Sequence, residues 1–261
     1  MAGIVTFDPE ASHRLETMYA SPEVSATRAE VFRAVTPRSG QKGLDVGCGP
    51  GYLTRDLGLA VGASGEIAGI DSSEPMLDLA RQRCSGLSQI TLTNAGVESL
   101  PTATGTLDFA CALQIYCYVK ELDGALDELR RCLRPGGRAV IMDTDFSGAL
   151  WETGDRARMR KIMTAFEGHS VWPDLPRILP RRLAKAGFEL TRCDAIPFVT
   201  LAYHPNTYIH GSARIIHQYV TKSAGLPVPE ADAWLKEFDE LETRREFFFS
   251  VNRFMFVATR R

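Results

Sequence analysis

Residues 42–52 read KGLDVGCGPGY, an apolar run that stops abruptly in alternating glycines. A short buried strand, a glycine turn and a helix together start a βα unit. Glycines this crowded let a backbone approach a ligand closely. A dinucleotide fingerprint needs G-x-G-x-x-G, whose third glycine permits tight helix–strand packing. Counted from Gly47 and Gly49, that third place falls on Tyr52, so the spacing is G-x-G-x-G. Pro50 also removes an amide donor that a pyrophosphate would use. The loop therefore suits a ligand that needs close backbone approach but brings no phosphate.

Outward from this turn, strands and helices alternate. Ser21-Pro22 supplies an N-cap and an N1 proline for a helix that Pro37 and Gly40 end. Val24, Thr27, Val31 and Val35 recur on one face of it, and another helical stretch is expected before it. Strands are expected at 44–46, 66–70, 89–93, 107–113 and 138–142, with helices at 52–59, at 122–133 and from Ser73-Glu74-Pro75 through Cys84. The run LDFACAL at 107–113 is apolar nearly throughout, as a strand covered on both faces should be. Beyond Asp145 the pattern changes to helices at 155–166, 174–186, 206–222 and 229–245, with a strand at 189–196. The tail FFFSVNRFMFVAT at 247–259 should return to the sheet as its seventh strand.

This alternation predicts an α/β fold, a seven-stranded and mostly parallel sheet with helices on both faces. N-terminal helices precede it, and a helical lid is inserted before the last strand. The expected division is a helical leader at 1–40, a core at 41–196, a lid at 197–246 and a final strand at 247–261. The lid should lie over the C-terminal ends of the strands, where open α/β sheets bind ligands.

Composition narrows the class of partner. Of 261 residues, 44% are hydrophobic and 24% charged, which is ordinary for a globular chain. A net charge of −2 offers no basic field for a nucleic-acid backbone. The pairs Arg130-Arg131, Arg181-Arg182 and Arg244-Arg245 lie between acidic residues and read as solvated faces. The first residues, MAGIVTFDPEASHR, lack a signal-peptide pattern, and no apolar run reaches the ~18–20 residues that span a bilayer. The six cysteines show no C-x-x-C pair or zinc spacing and sit mostly in apolar runs. These features lead us to expect a cytoplasmic protein without a membrane or nucleic-acid partner.

Asp71 stands at the end of the second strand in AGIDSSEPM, about 20 residues beyond the loop, where an acid can accept both hydroxyls of a ribose. Ribose without phosphate points to an adenosyl group, and so to S-adenosylmethionine. At these residues the sequence resembles the class I S-adenosylmethionine-dependent methyltransferases. LDVGCGPG resembles their first motif, and Asp71 matches the acid ending their second strand. VESLP at 97–101 is similar to the segment bordering their adenine, and LRPGG at 133–137 to the turn before their fifth strand. The nearest branch contains ubiquinone- and menaquinone-biosynthesis enzymes and natural-product tailoring enzymes.

The resemblance implies a Rossmann-like sheet, S-adenosylmethionine as cofactor, S-adenosylhomocysteine as product, and no metal. It implies that Asp45, Gly47 and Gly49 line the methionine end, that Asp71 holds the ribose, and that Ser72 and Met76 flank the adenine. Relatives carry Asp or Asn where this chain has Gly96, so the adenine amino group must be received elsewhere, by Asn94 or Glu98, with Val97 giving a backbone N–H. Tyr19 and Arg28 match a leader tyrosine that closes over the donor methyl and an arginine near the carboxylate. In QIYCY at 114–118, Gln114 is expected to touch the cofactor and Tyr116 to wall the methyl path.

The acceptor should meet the lid. Phe166, His169 and Trp172 are candidates, with His204 and Tyr208 at the entry of helix 206–222 as catalytic candidates beside Tyr19 and Tyr116. In that helix Ile209, Ala213, Ile216 and Val220 form a packing stripe, while His210, Arg214 and His217 lie on another face and read as solvated. An aromatic-rich pocket suits an electron-rich ring, so C-methylation of an indole- or quinone-like small molecule in secondary metabolism is favoured over O- or N-methylation. An arsenite-type enzyme using Cys117, and a cofactor-binding module without turnover, are the alternatives. A homodimer is compatible with this reading. Asp143 and Asp145 raise a metal question, but QIYCY lacks the acids a hard cation would need after the fourth strand.

Overall fold

The computed structural model describes residues 15–261, so the first fourteen residues read above lie outside the described ones. Residues 15–19 are helical and lead into α1 (Pro22–Val35). Ser21 caps α1 by accepting from the Val24 amide at 3.4 Å, and Thr36 in a left-handed conformation ends it. Val24, Thr27, Val31 and Val35 are all buried, as their spacing requires.

The alternating part follows as β1 (Lys42–Val46), α2 (Tyr52–Val61), β2 (Glu66–Asp71), α3 (Glu74–Arg83), β3 (Ile90–Asn94), β4 (Leu107–Leu113), α4 (Leu122–Cys132) and β5 (Leu133–Thr144). These five strands pair in parallel in the order β3-β2-β1-β4-β5. β4 is covered on both faces. Ala110 and Ala112 join the cluster packed under α4, while Phe109 and Cys111 join the one under α1 and α2. β5 begins earlier than expected, because Leu133 already opposes Leu107 before an irregularity brings Arg138 opposite Phe109.

The remainder comprises β6 (Leu150–Trp151), α5 (Arg156–Phe166), α6 (Leu175–Lys185), β7 (Phe188–Thr200), α7 (Tyr208–Lys222), α8 (Val228–Arg244) and β8 (Phe249–Arg260). β8 runs antiparallel between β5 and β7. The sheet has eight strands rather than the seven expected. The extra one, β6, does not widen it. Residues Phe249 to Asn252 of β8 extend past the end of β5, and Leu150 and Trp151 supply partners for Ser250 and Phe249 there.

β7 also runs past Ile196 through Pro197 to Thr200, so the excursion after it starts later than the sequence suggested. Proline is tolerated because β7 pairs only with β8 and its other edge needs no amide. A third apolar cluster joins α7 and α8 to α5 as well, through Met159, Ile162, Ile216, Trp234 and Phe238. Val251 and Phe249 of β8 enter that cluster, while Met255 and Val257 enter the sheet core. No helix among the described residues is long and apolar enough to cross a membrane.

The packing stripe of α7 is buried as expected, but its second face is not simply solvated. His217 Nε2 meets Asp232 at 2.8 Å, and the half-buried His210 ring packs on Tyr203 with centroids 5.0 Å apart. Arg214 reaches the His210 carbonyl.

Candidate active site

β1 ends where the backbone turns left-handed at Gly47, Gly49 and Gly51. A Cβ on Gly47 would lie 2.0 Å from Ile115 Cδ1, and one on Gly51 2.9 Å from the Ala80 backbone, so those two glycines serve packing. A Cβ on Gly49 would meet only Tyr19, at 4.0 Å. Gly49 is therefore the member of the loop that leaves a cradle, with the Tyr19 ring as its far wall.

The Gly49 amide donates to Asp71 Oδ2 at 2.9 Å, and the Ser73 amide to Oδ1 at 2.9 Å. Each carboxylate oxygen is held by one amide and keeps a lone pair for a hydroxyl. Burial raises the pKa of Asp71, against the pull of the Ser73, Gly49 and Ser72 amides. Arg28 donates to the Tyr19 carbonyl at 2.5 Å and to Ser25, and lies 4.4 Å over the Tyr52 ring. Its visible task is to fix Tyr19.

Asp45 does not line the cradle. It is buried, accepts from Thr54 Oγ1 at 2.6 Å, lies 3.6 Å from the Cys111 thiol, and burial pushes its pKa up to about 6. Its carboxylate ties β1 to α2, which explains an acid beside the loop without a ligand.

On the β2–β3 side, Ser72 is exposed and Met76 is buried in the lid cluster. Asn94 donates to Glu74 at 3.0 Å and is already engaged. A Cβ on Gly96 would fall 2.7 Å from Glu98 Oε2. The Glu98 carboxylate has thus folded into the space that a side chain at 96 would fill. Val97 packs on the core beside it.

After β4 the chain makes a 3-10 turn over Tyr116–Tyr118. Gln114, left-handed at φ 56, is held by Thr144 Oγ1 at 2.5 Å and reaches the Cys117 thiol at 3.3 Å. A non-glycine residue in this conformation marks a strained segment of the kind found at functional sites. Tyr116 is not a wall of this space. It is fully buried in the α4 cluster, and its hydroxyl has no hydrogen-bond partner.

Tyr118 takes the outward place instead, since three residues per turn send 116 and 118 in different directions. Its side chain is 42% exposed overall, yet the setting of its hydroxyl raises its pKa well above the ordinary tyrosine value, through desolvation first, then the Cys117 thiol, with Tyr208 and Tyr19 adding to the rise. Its ring meets His169 edge-on at 5.5 Å, and His169 in turn stacks on Phe166 at 4.7 Å and meets Tyr219 at 5.1 Å. QIYCY contained this residue, but only the turn geometry chose between its two tyrosines.

Of the lid candidates, Tyr208 is brought in. It is buried beside Phe198, and Tyr19 responds to it. His204 is not. It is exposed, and its Nδ1 accepts from the Asn206 amide at 3.4 Å in the turn that starts α7. Trp172 is a packing residue whose indole donates to the Val119 carbonyl at 2.8 Å. Arg253 carries no sequence signal beyond its place in a strand, yet it lies 4.8 Å from the Tyr208 ring.

The two acids at the end of β5 are otherwise committed. Asp145 pairs with Arg177 at 2.7 Å and accepts from Ser147. Asp143, near the end of β5, is fully buried. Burial pushes its pKa up to about 7, although the Cys117 thiol and the amides of Cys117 and Tyr116 oppose the rise. Cys117 is itself buried, and its thiol pKa is raised by burial and by Asp143. Among the described residues no three histidines, cysteines or acids converge as metal ligands would.

The raised value has a consequence for stability. From the ordinary value of 3.8 to about 7 the native state holds the extra proton, so stability falls as pH rises through that window and then levels off. Asp143→Asn should therefore stabilise the protein at pH 8 by roughly 2 kcal/mol and have little effect near pH 4. Urea unfolding at the two pH values measures this. An equal effect at both would show that the carboxyl is not held protonated.

Residues 44–141 match the model of a methyltransferase domain. A 37.1 kDa protein encoded in transposon Tn4556 of Streptomyces fradiae is 30% identical over 255 residues, 96% of this chain and 71% of that protein. A demethylmenaquinone methyltransferase of Staphylococcus aureus is 32% identical over 131 residues, 50% of this chain and 54% of the relative. The chain thus spans about half the length of that enzyme. In fold it is similar to a phosphoethanolamine N-methyltransferase of Haemonchus contortus, with a TM-score of 0.63 and 15% identity, covering 98% of this chain and 58% of that one.

Proposed function

The chain belongs to the class I S-adenosylmethionine-dependent methyltransferases, and from that membership we propose that it methylates a small aromatic or heteroaromatic molecule between Tyr118 and the lid. The observation that carries this reading is the Tyr19 ring, which stands beside Gly49 of the Gly49–Asp71 cradle and packs against the lid cluster that holds Tyr208, with Tyr118 electrostatically coupled to both.

The cradle fits the donor. Asp71 offers two acceptors to a ribose, Gly49 admits close approach, and Glu98 offers the acceptor for an adenine amino group that Gly96 lacks. When bound, S-adenosylmethionine supplies a methyl group open to in-line attack and leaves as S-adenosylhomocysteine. The protein's part is to align the partners and exclude water, worth up to ~7–11 kcal/mol in such reactions. The tyrosine rings suit that part, because their faces favour a nearby cation.

Proton handling narrows the chemistry. The Tyr19 hydroxyl is pushed up to about 12 by burial, Tyr208 and Asp71, and the Tyr118 hydroxyl is raised as well, so neither gives up its proton near neutral pH. Burial lowers the His169 pKa, leaving a neutral imidazole beside Tyr118 that can accept a proton. A weak base of this kind suffices to remove a ring proton after attack by carbon. C-methylation of an indole- or quinone-like ring is therefore the favoured reaction, in a cytoplasmic role in secondary metabolism.

Incubation with a labelled methyl donor and a panel of indoles, quinols, phenols and amines tests the reading. Label should enter a ring compound, and Tyr118→Ala should abolish the transfer. Donor binding without transfer to any of the panel would favour a binding module instead. The adenine contact has its own test. Glu98→Ala should weaken donor binding about 10-fold, the worth of one charge-assisted hydrogen bond. Adding Gly96→Asp to that variant should restore it. Unchanged affinity in Glu98→Ala would place the adenine elsewhere.

A further inference from the structure

We propose that Arg253 binds a carboxylate of the methyl acceptor, so that the acceptor is an aromatic acid. This deepens the methyltransferase reading and rests on it.

Arg253 lies in the middle of β8, opposite Thr144 on one side and Ile196 on the other. It is only 8% exposed, and its Nε is enclosed without a hydrogen-bond partner. No acid among the described residues pairs with it, whereas Arg83, Arg158, Arg177 and Arg182 each have one. Its neighbours are rings. The guanidinium lies 5.1 Å from the centre of Phe198 and 4.8 Å from that of Tyr208. Tyr19, the wall of the donor cradle, feels its charge. Arg253 therefore sits where the lid, the leader and the sheet meet, within the proposed acceptor space.

An arginine cannot shed its charge, and a buried charge without an acid is strongly unfavourable. Rings favour the cation but leave its N–H donors without strong acceptors. Asp143 also feels the charge, yet it lies on the other side of the sheet, opposite Phe254. What the group lacks is a planar anion, and its forked donors match a carboxylate in two parallel hydrogen bonds. An aromatic acid would place its ring among Phe198, Tyr208 and Tyr118 with its carboxylate on Arg253.

The test uses the full chain saturated with S-adenosylhomocysteine and titrated calorimetrically with benzoate and indole-3-carboxylate, then with their amides. Each acid should bind about 10- to 100-fold more tightly than its amide, the range for a charge-assisted pair. Arg253→Gln should erase that difference, with affinity for S-adenosylhomocysteine unchanged. Arg253→Lys, which keeps the charge but not the fork, should retain part of it and serves if the glutamine variant does not fold. Equal binding of acid and amide by wild type would overturn the proposal, as would a preference that survives Arg253→Gln. Weaker binding of S-adenosylhomocysteine in Arg253→Gln would assign the carboxylate to the donor and overturn it too. If wild type bound no S-adenosylhomocysteine, the methyltransferase reading would fail and this proposal with it.

Discussion

Asp71→Ala is expected to raise the dissociation constant for S-adenosylmethionine at least 100-fold in a calorimetric titration. The carboxylate holds the Gly49 and Ser73 amides, and its loss leaves both donors without that acceptor at the edge of the cradle. An enclosed donor left unsatisfied costs about 1–3 kcal/mol. The proposed ribose contacts would be lost as well, and 2.7 kcal/mol corresponds to about 100-fold. Asp71→Asn should fall between the two, since it keeps shape and one acceptor oxygen. Both variants should remain folded, because the residue is only half-buried at a strand end. Wild-type affinity in Asp71→Ala would mean that the ribose does not sit there.

Trp234→Ala is expected to cost about 3–5 kcal/mol of stability, the range for a large aromatic side chain removed from a core. Trp234 is fully buried. It packs on Phe238 with centroids 4.8 Å apart and on Trp151 at 5.8 Å, and its indole reaches the Met159 sulfur at 3.4 Å. One side chain thus joins α8, β6 and α5. For a chain of this size, such a loss lowers the melting temperature by roughly 10 °C. The lid cluster is separate from the clusters beneath the sheet. Donor binding should therefore suffer less than acceptor methylation. Thermal unfolding and donor titration measure the two effects. A drop under 2 °C would show that the lid cluster collapses around the gap.

Much of the fold was legible because local physics fixed it. The period-2 and period-3.6 patterns, the proline at the start of α1 and the alternating glycines each dictate backbone conformation within a few residues. The proximity of the glycine turn to Asp71 was legible for the same reason. Gly49 and Asp71 lie at consecutive strand ends, which the parallel order of β1 and β2 makes neighbours. What Asp45 meets was not legible, because an acid beside the loop has the same sequence signature whether it faces a ligand or Thr54, its partner in the structure.

The acceptor side was less legible. Tyr116 and Tyr118 are two residues apart in one aromatic run, and the 3-10 turn alone buries one and presents the other. His204 read as a site residue and is an exposed member of a helix-entry turn. β6 carried no strand signal, since two residues have no periodicity, and it exists because β8 outruns β5. By itself the sequence determined a doubly wound sheet with a glycine turn beside a strand-end acid, because neighbouring residues and strand order set these. Only the tertiary structure decided that Glu98 covers Gly96 and that Tyr19, Tyr118, Tyr208 and Arg253 converge. Those residues come from distant elements, and what joins them is burial of apolar surface, which has no local pattern in the chain.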